Sequence, residues 1–222
     1  MLPSRGIRNP YSCLRAPLLI TAFLLPVILR AVEPPRHALS QFLAGQIAPE
    51  VQEFGPIRMK REDISEWLKK LRTARLPAER GIAVANLQNC AWVLLDLPAT
   101  APVALELLNQ WVLPSATFLR TLPRTSACSW ENVMMGAYAS YKKAGDPHGQ
   151  RRVLDLLSTQ ARDPELRDLA TLRLGGIKAT QGSLKEAIDI VRKSDPKGKL
   201  AEPRANLLQN WQEQLKPKST PQ

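Results

Sequence analysis

The residue types closest to a chemical motif sit in "KATQGSLKEAIDIVRKSDP", residues 178–196. Gly182 and Ser183 there precede an amphipathic run that contains Lys185. A glycine, a hydroxyl and a lysine at a helix start are the raw material of a phosphate cradle. A P-loop needs more than this, namely G-x-x-x-x-G-K-[ST] directly after a strand. Here one glycine stands alone, the preceding segment has helical spacing, and Lys185 falls inside the next helix. Nucleotide binding is therefore not expected. His37 and His148 lie in different regions, without Cys, His or acidic neighbours at a zinc-ligand spacing. There is no G-x-S-x-G, H-E-x-x-H or C-x-x-C. Glu50, Glu53, Glu62, Asp63 and Glu66 are interleaved with Lys and Arg, the pattern of a solvated helix face rather than of an acid–base pair. The residues thus point to no catalytic group, no metal and no cofactor.

The elements that would position any site begin after an unusual N-terminus. Arg5, Arg8 and Arg15 precede an uncharged apolar run of fourteen residues, Ala16–Leu29. A membrane-spanning helix needs about 20 residues, and a signal-peptide core about 7–15. Residues 1–31 read as a secretory signal peptide, with Ala31 ending an imperfect cleavage site. An uncleaved anchor formed by residues 16–29 and a buried helix are the alternatives. Cys13 precedes the run and so is no lipid-acceptor cysteine. The reading changes the charge argument. The whole chain carries 31 Lys and Arg against 20 Asp and Glu, a net +11. Residues 1–31 hold Arg5, Arg8, Arg15 and Arg30 and no acid, so the remainder carries +7. Part of what resembles a nucleic-acid signature is a targeting signature, and nucleic acid is not expected as a partner. In an oxidising compartment Cys90 and Cys128 could pair. Burial of both as small apolar side chains is the plainer reading.

Beyond residue 32 the apolar residues recur at helical spacing. "HALSQFLAGQIAPEVQEF" is expected to be helical up to an interruption at Pro49. In "REDISEWLKKLRTAR", Ile64, Trp67, Leu68 and Leu71 share one helix face. Asp63 and Glu66 suggest a capping-box start there. "PAERGIAVANLQNCAWVLLDL" opens on Pro77, which suits a first turn. Its seam is Val84, Leu87, Ala91, Leu94 and Leu95, widened by Ile82, Trp92 and Val93. "PVALELLNQWVL" is a helix bounded by Pro102 and Pro114. Five more helices follow, in "SWENVMMGAYASYKKAG", "GQRRVLDLLSTQA", "DPELRDLATLRLGGIKATQ", "SLKEAIDIVRKS" and "EPRANLLQNWQEQL". The domain order is a helical region over 37–122, helical hairpins over 129–215 and a polar tail over 216–222.

The corner at Gly182 decides how those hairpins are joined. Gly182 can adopt the left-handed conformation that ends a helix, and Ser183 with Glu186 forms an S-x-x-E capping box for the next. A loop this short makes the two helices antiparallel neighbours. Around it, "LGGIKATQGSLKEAIDIV" resembles a tetratricopeptide repeat. Leu174 and Gly175 match the family's L-G pair, Ala187 its small crossing residue, Val191 the bulky position four later, and Pro196 its closing proline. Thr171 and Lys178 stand where Trp and Tyr are usual. The preceding hairpin fits more loosely through Tyr141, Gly145 and Asp163-Pro164. It has Gln150 near the place of the small residue. The resemblance covers about residues 129–215 and implies an all-α fold of antiparallel hairpins stacked as a short α-solenoid. It further implies a partner-binding groove lined by Asn132, Met135, Lys142, Lys143, Arg173 and Thr180, able to hold an extended peptide or a partner helix. Lys69, Lys70, Arg72 and Arg75 form a basic face that could dock on an acidic surface such as anionic lipid or an envelope polymer. The expected function is a non-catalytic, exported protein–protein interaction scaffold or assembly adaptor of the cell envelope. The alternative is a helical accessory domain of a cell-wall-acting enzyme, similar to the superhelical part of lytic transglycosylases.

Overall fold

The computed structural model describes residues 37–123 and 128–216. The proposed signal segment, residues 1–31, and all of the polar tail after Lys216 lie outside the described residues. Within them the protein is all-α, and the one strand pair, β1 (Glu53–Phe54) with antiparallel β2 (Met59–Lys60), is two residues long.

Three helices open the chain: α1 (Ala38–Leu43), α2 (Arg61–Thr73) and α3 (Pro77–Leu94). The first is much shorter than its sequence suggests. Gly45 takes φ +74° and turns the chain away. The Arg61 guanidinium then bonds the carbonyls of Ile47 and Ala48 and lies 4.6 Å from the Phe42 ring centre. Those carbonyls serve a buried cation instead of continuing a helix. The start of α2 also differs from expectation. Asp63 is the third helical residue, and its carboxylate accepts the Lys60 N–H at 2.6 Å, so the helix begins at Arg61 and the Asp63–Glu66 pair makes no cap. In α3 the seam residues Val84, Leu87, Ala91 and Leu94 have no exposure. Ile82 and Trp92, expected to widen it, are 48% and 41% exposed.

The next helical run passes its supposed boundary. A 3-10 turn (Pro98–Thr100) leads into α4 (Ala101–Leu107), a π-helical turn (Leu108–Val112), a second 3-10 turn (Leu113–Ser115) and α5 (Ala116–Leu119). Pro114 has no N–H to give the preceding turn. The chain absorbs that loss by changing helical pitch at Leu108–Ser115 and does not stop.

The remaining helices are α6 (Trp130–Lys143), α7 (Pro147–Gln160), α8 (Pro164–Thr180), α9 (Leu184–Val191) and α10 (Ala201–Leu215). Asp146 and Asp163 cap α7 and α8 by accepting backbone N–H groups, with proline in the first turn of each. Gly145 and Gly182 have φ +68° and +81°, the left-handed geometry that closes α6 and α8.

Consecutive helices of this half pack as antiparallel neighbours, while alternate ones run parallel. Between α3 and α6, Cys128 Sγ just ahead of α6 lies near Gly81, Gln88 reaches Gly136 and Ser140, and Lys143 reaches Trp92. Low numbers meet low and high meet high. On α6 and α8, Arg173 lies over the Tyr138 ring at 4.9 Å. Glycines mark the tightest crossings. A Cβ on Gly149 would fall 2.1 Å from the Tyr141 ring, and one on Gly175 2.4 Å from a Val191 methyl. At the α6–α7 contact, then, it is Gly149, next to Gln150, that makes room for the Tyr141 ring. One apolar core runs unbroken from α1 to α8, and a second, of Leu172, Ala187, Ile188, Val191 and Trp211, joins α8, α9 and α10.

Candidate functional site

The residues expected to line a groove fall into three groups. Asn132, Met135 and Lys142 lie on the solvent side of α6 with Ala139 between them, a strip at three- and four-residue spacing. Asn132 and Lys142 are exposed, and Met135 is half-buried, packed against the core. Arg173 and Thr180 occupy the corresponding strip of α8 with Leu169 and Gly176. Arg173 is held over Tyr138, and the Thr180 hydroxyl donates to the Ile177 carbonyl at 2.8 Å. Lys143 does not join them. Its ammonium lies 2.6 Å from Asp96, donates to the Trp92 carbonyl at 3.0 Å and sits 4.3 Å from the Trp92 ring centre. It fastens α6 to α3.

A further strip lies on α3, beside Lys143. Ile82, Ala85, Asn89 and Trp92 form a strip on α3 with the same spacing, exposed or half-exposed. The sequence signal was present as helical spacing on the side away from Val84 and Leu87. At the N-terminal ends of α6 and α8 the strips flank a cleft of about 370 Å³, lined by Ser129, Glu131, Asn132, Asp163, Glu165, Leu166 and Leu169. Glu131 is buried and accepts the Arg162 N–H at 3.1 Å, while Glu165 pairs with Lys199 at 2.7 Å. That contact raises the Lys199 ammonium above its ordinary pKa. The opposite ends carry Lys142 and Thr180. Carboxylates thus gather at one end of the α6 and α8 strips, Arg173 stands midway, and the exposed Lys142 lies at the other end.

The four cations expected to form one basic face, Lys69, Lys70, Arg72 and Arg75, separate. Lys70 pairs with Glu66 at 2.7 Å and rests against the Trp67 ring, and Arg75 lies past the helix end. Lys69 and Arg72 turn to the other flank, into a cleft walled by α1, α2 and the turn around Trp111. All four are exposed.

At the Gly182 corner the serine and glutamate behave differently from a capping box. The Ser183 side chain caps nothing, and the Glu186 carboxylate crosses to the Lys178 ammonium at 2.7 Å. The lysine holds that carboxyl below its usual range. The backbone closes the corner instead, with Ser183 N–H donating to the Lys178 carbonyl and Gly182 N–H to that of Ala179.

Cys90 and Cys128 are both buried but far apart. Cys128 lies against Gly81, whereas Cys90 is further along the same helix by nine residues, a rise of about 13.5 Å. A disulfide requires Cα atoms within about 7 Å, so the two do not pair. Burial pushes the Cys90 thiol up to about 12, and its hydrogen points to the Met59 sulfur at 3.6 Å. Burial also raises the Tyr141 phenol, which donates to Asn109 at 2.8 Å.

Among the described residues no group of His, Cys, Asp and Glu could hold a metal ion, and no helix is long and apolar enough to cross a membrane. Comparisons with protein-family models, with curated proteins and with solved structures find no match.

Proposed function

We propose that the protein is an exported, non-catalytic scaffold whose helical hairpins stack as a short solenoid of tetratricopeptide type. The hairpins of this reading are α3 with α4–α5, α6 with α7, and α8 with α9, closed by α10. The observation that carries it is the parallel set α3, α6 and α8, each showing a solvent-facing strip at helical spacing. In a solenoid, such first helices of successive hairpins form one continuous binding surface. Gly175 at the α8–α9 crossing and Trp211 closing the last core support the same arrangement.

The occupant is a protein or peptide segment. Apolar Ile82, Trp92, Met135 and Leu169 supply contact area, and Arg173 and Lys142 supply charge that orients a partner. Lys142→Glu tests the surface directly, because this side chain is exposed and makes no hydrogen bond or ion pair among the described residues. The variant should retain helicity and lose its crosslinked partner, while Lys185→Glu on α9 should retain both. Equal crosslinking by both variants counts against the reading. Export rests on the arginine-flanked apolar run at residues 16–29 and is tested by fractionation. The full-length chain found only in the cytoplasm, with residues 1–31 intact, would end that part of the proposal.

A further inference from the structure

The cleft between α1, α2 and α4 shares no residue with the α3–α6–α8 face and has a volume of about 680 Å³. Clefts of 300–1,000 Å³ are of the size that binds small molecules. Its shape follows from two contacts. The buried Glu106 carboxylate accepts the Leu39 N–H at 2.9 Å and holds α1 against α4. The π-helical turn at Leu108–Val112 carries Trp111, over whose ring the Arg72 guanidinium lies at 4.7 Å. Such π turns recur at functional sites. Leu39 and Leu68 are buried and Leu43 half-buried, giving an apolar floor. At the edge of this floor stand Lys69 and Arg72. Neither has an acidic partner among the described residues, unlike their neighbour Lys70. Glu106, the one acid in the lining, is already engaged by Leu39.

We infer that this cleft binds a single-chain amphiphilic anion, a carboxylate or phosphate monoester on a hydrocarbon tail. The headgroup meets Lys69 and Arg72, and the tail lies over Leu39, Leu43 and Leu68. Two exposed cations alone hold an anion weakly in water. An apolar floor adds up to about fourfold in affinity per methylene buried. Both parts are needed, and this cleft places them within one helix turn. The inference is independent of the scaffold reading, since the residues are different.

The test is calorimetric titration of the full chain with dodecanoate, dodecyl phosphate, octanoate, acetate and dodecyltrimethylammonium, each below its micelle concentration. One of the two dodecyl anions should bind one to one, and the better of them identifies the headgroup. Octanoate, acetate and the cationic amphiphile should bind at least tenfold more weakly. Lys69→Glu with Arg72→Glu should cost at least tenfold. Ser65→Trp, which fills the cleft and keeps its charge, should do the same. Lys70→Glu with Arg75→Glu should leave affinity within twofold, and circular dichroism should show all variants folded. Three results would overturn the proposal: no binding of either dodecyl anion, equal binding of the cationic amphiphile, or equal losses from the two charge-reversal pairs. The last would mean that the basic face attracts anions diffusely. Binding unchanged by every cleft variant would place the amphiphile elsewhere on the chain and overturn it as well.

Discussion

Gly175 and Gly176 are adjacent in α8, yet alanine should act on them with opposite signs. A Cβ at Gly175 would lie 2.4 Å from Val191 Cγ2, 3.2 Å from the Ala187 carbonyl oxygen and 3.4 Å from the Trp211 ring. Carbon atoms in favourable contact are about 3.5–4.0 Å apart, so the overlap with Val191 is about 1 Å. Val191 is fully buried, and a β-branched side chain in a helix has one strongly preferred rotamer. It cannot swing aside, and α9 must shift. Overpacking of this kind costs about 1–3 kcal/mol. Replacing a mid-helix glycine with alanine returns about 1 kcal/mol. Gly175→Ala should therefore destabilise by about 1 kcal/mol net. Gly176 has nothing within 4 Å of the same position, and Gly176→Ala should stabilise by about 1 kcal/mol. For a protein of this size that separates the two melting temperatures by about 4–8 °C. Urea unfolding followed by circular dichroism gives the free energies. In a Val191→Ala background the cost of Gly175→Ala should shrink, with a coupling of about 1 kcal/mol or more. If both alanines stabilise equally, or if Val191→Ala leaves the Gly175→Ala cost unchanged, the α8–α9 crossing is not as described.

Removing the buried guanidinium by Arg61→Ala should cost about 2 kcal/mol or more, because two carbonyls lose a charged donor; thermal unfolding measures it. Cys90 should resist iodoacetamide in the folded protein and react on unfolding, and no Cys90–Cys128 disulfide should appear on oxidation, as peptide mapping would show. The raised Cys90 thiol has a pH signature. In the unfolded chain it ionises near 8.5, in the folded one at about 12, so its contribution to stability falls as pH rises through that window. Glu186 works in the opposite direction. Its folded pKa is depressed by Lys178, so its stabilisation is present above the unfolded value of about 4.3 and is lost as pH falls further. Lys178→Met should flatten that part of the acid-unfolding curve.

Much of the fold was legible because helix periodicity and chain punctuation are local properties. Gly182 announced the end of α8 through backbone freedom alone, and Pro77 the first turn of α3. What remained hidden depends on neighbours distant in sequence. Spacing shows that Trp92 is apolar, but only α6 supplies the lysine that covers its ring, leaving the residue at the surface. Glu186 has the spacing of a capping residue, yet Lys178 offers it a stronger, charge-assisted contact. Nothing local marks Gly149 as a close contact, because that is set by the Tyr141 ring across the hairpin. Pro114 read as a stop, although a chain can change pitch around a missing N–H. Asn132, Met135 and Lys142 share one side of α6, as helical spacing alone requires, while Lys143 is drawn away by Asp96. The α1–α2–α4 cleft could not be anticipated, since Leu39, Arg72 and Trp111 come together only in three dimensions.

We propose above that α3, α6 and α8 present one partner-binding face. Site-specific photocrosslinking tests it most directly, with a benzophenone side chain at Asn89, Lys142 or Thr180 and, as controls, at Asp155 on α7 or Lys185 on α9. The three face positions should give the same discrete protein adduct, and the two controls none. Adducts of equal yield from all five positions, or adducts from the controls alone, would contradict it.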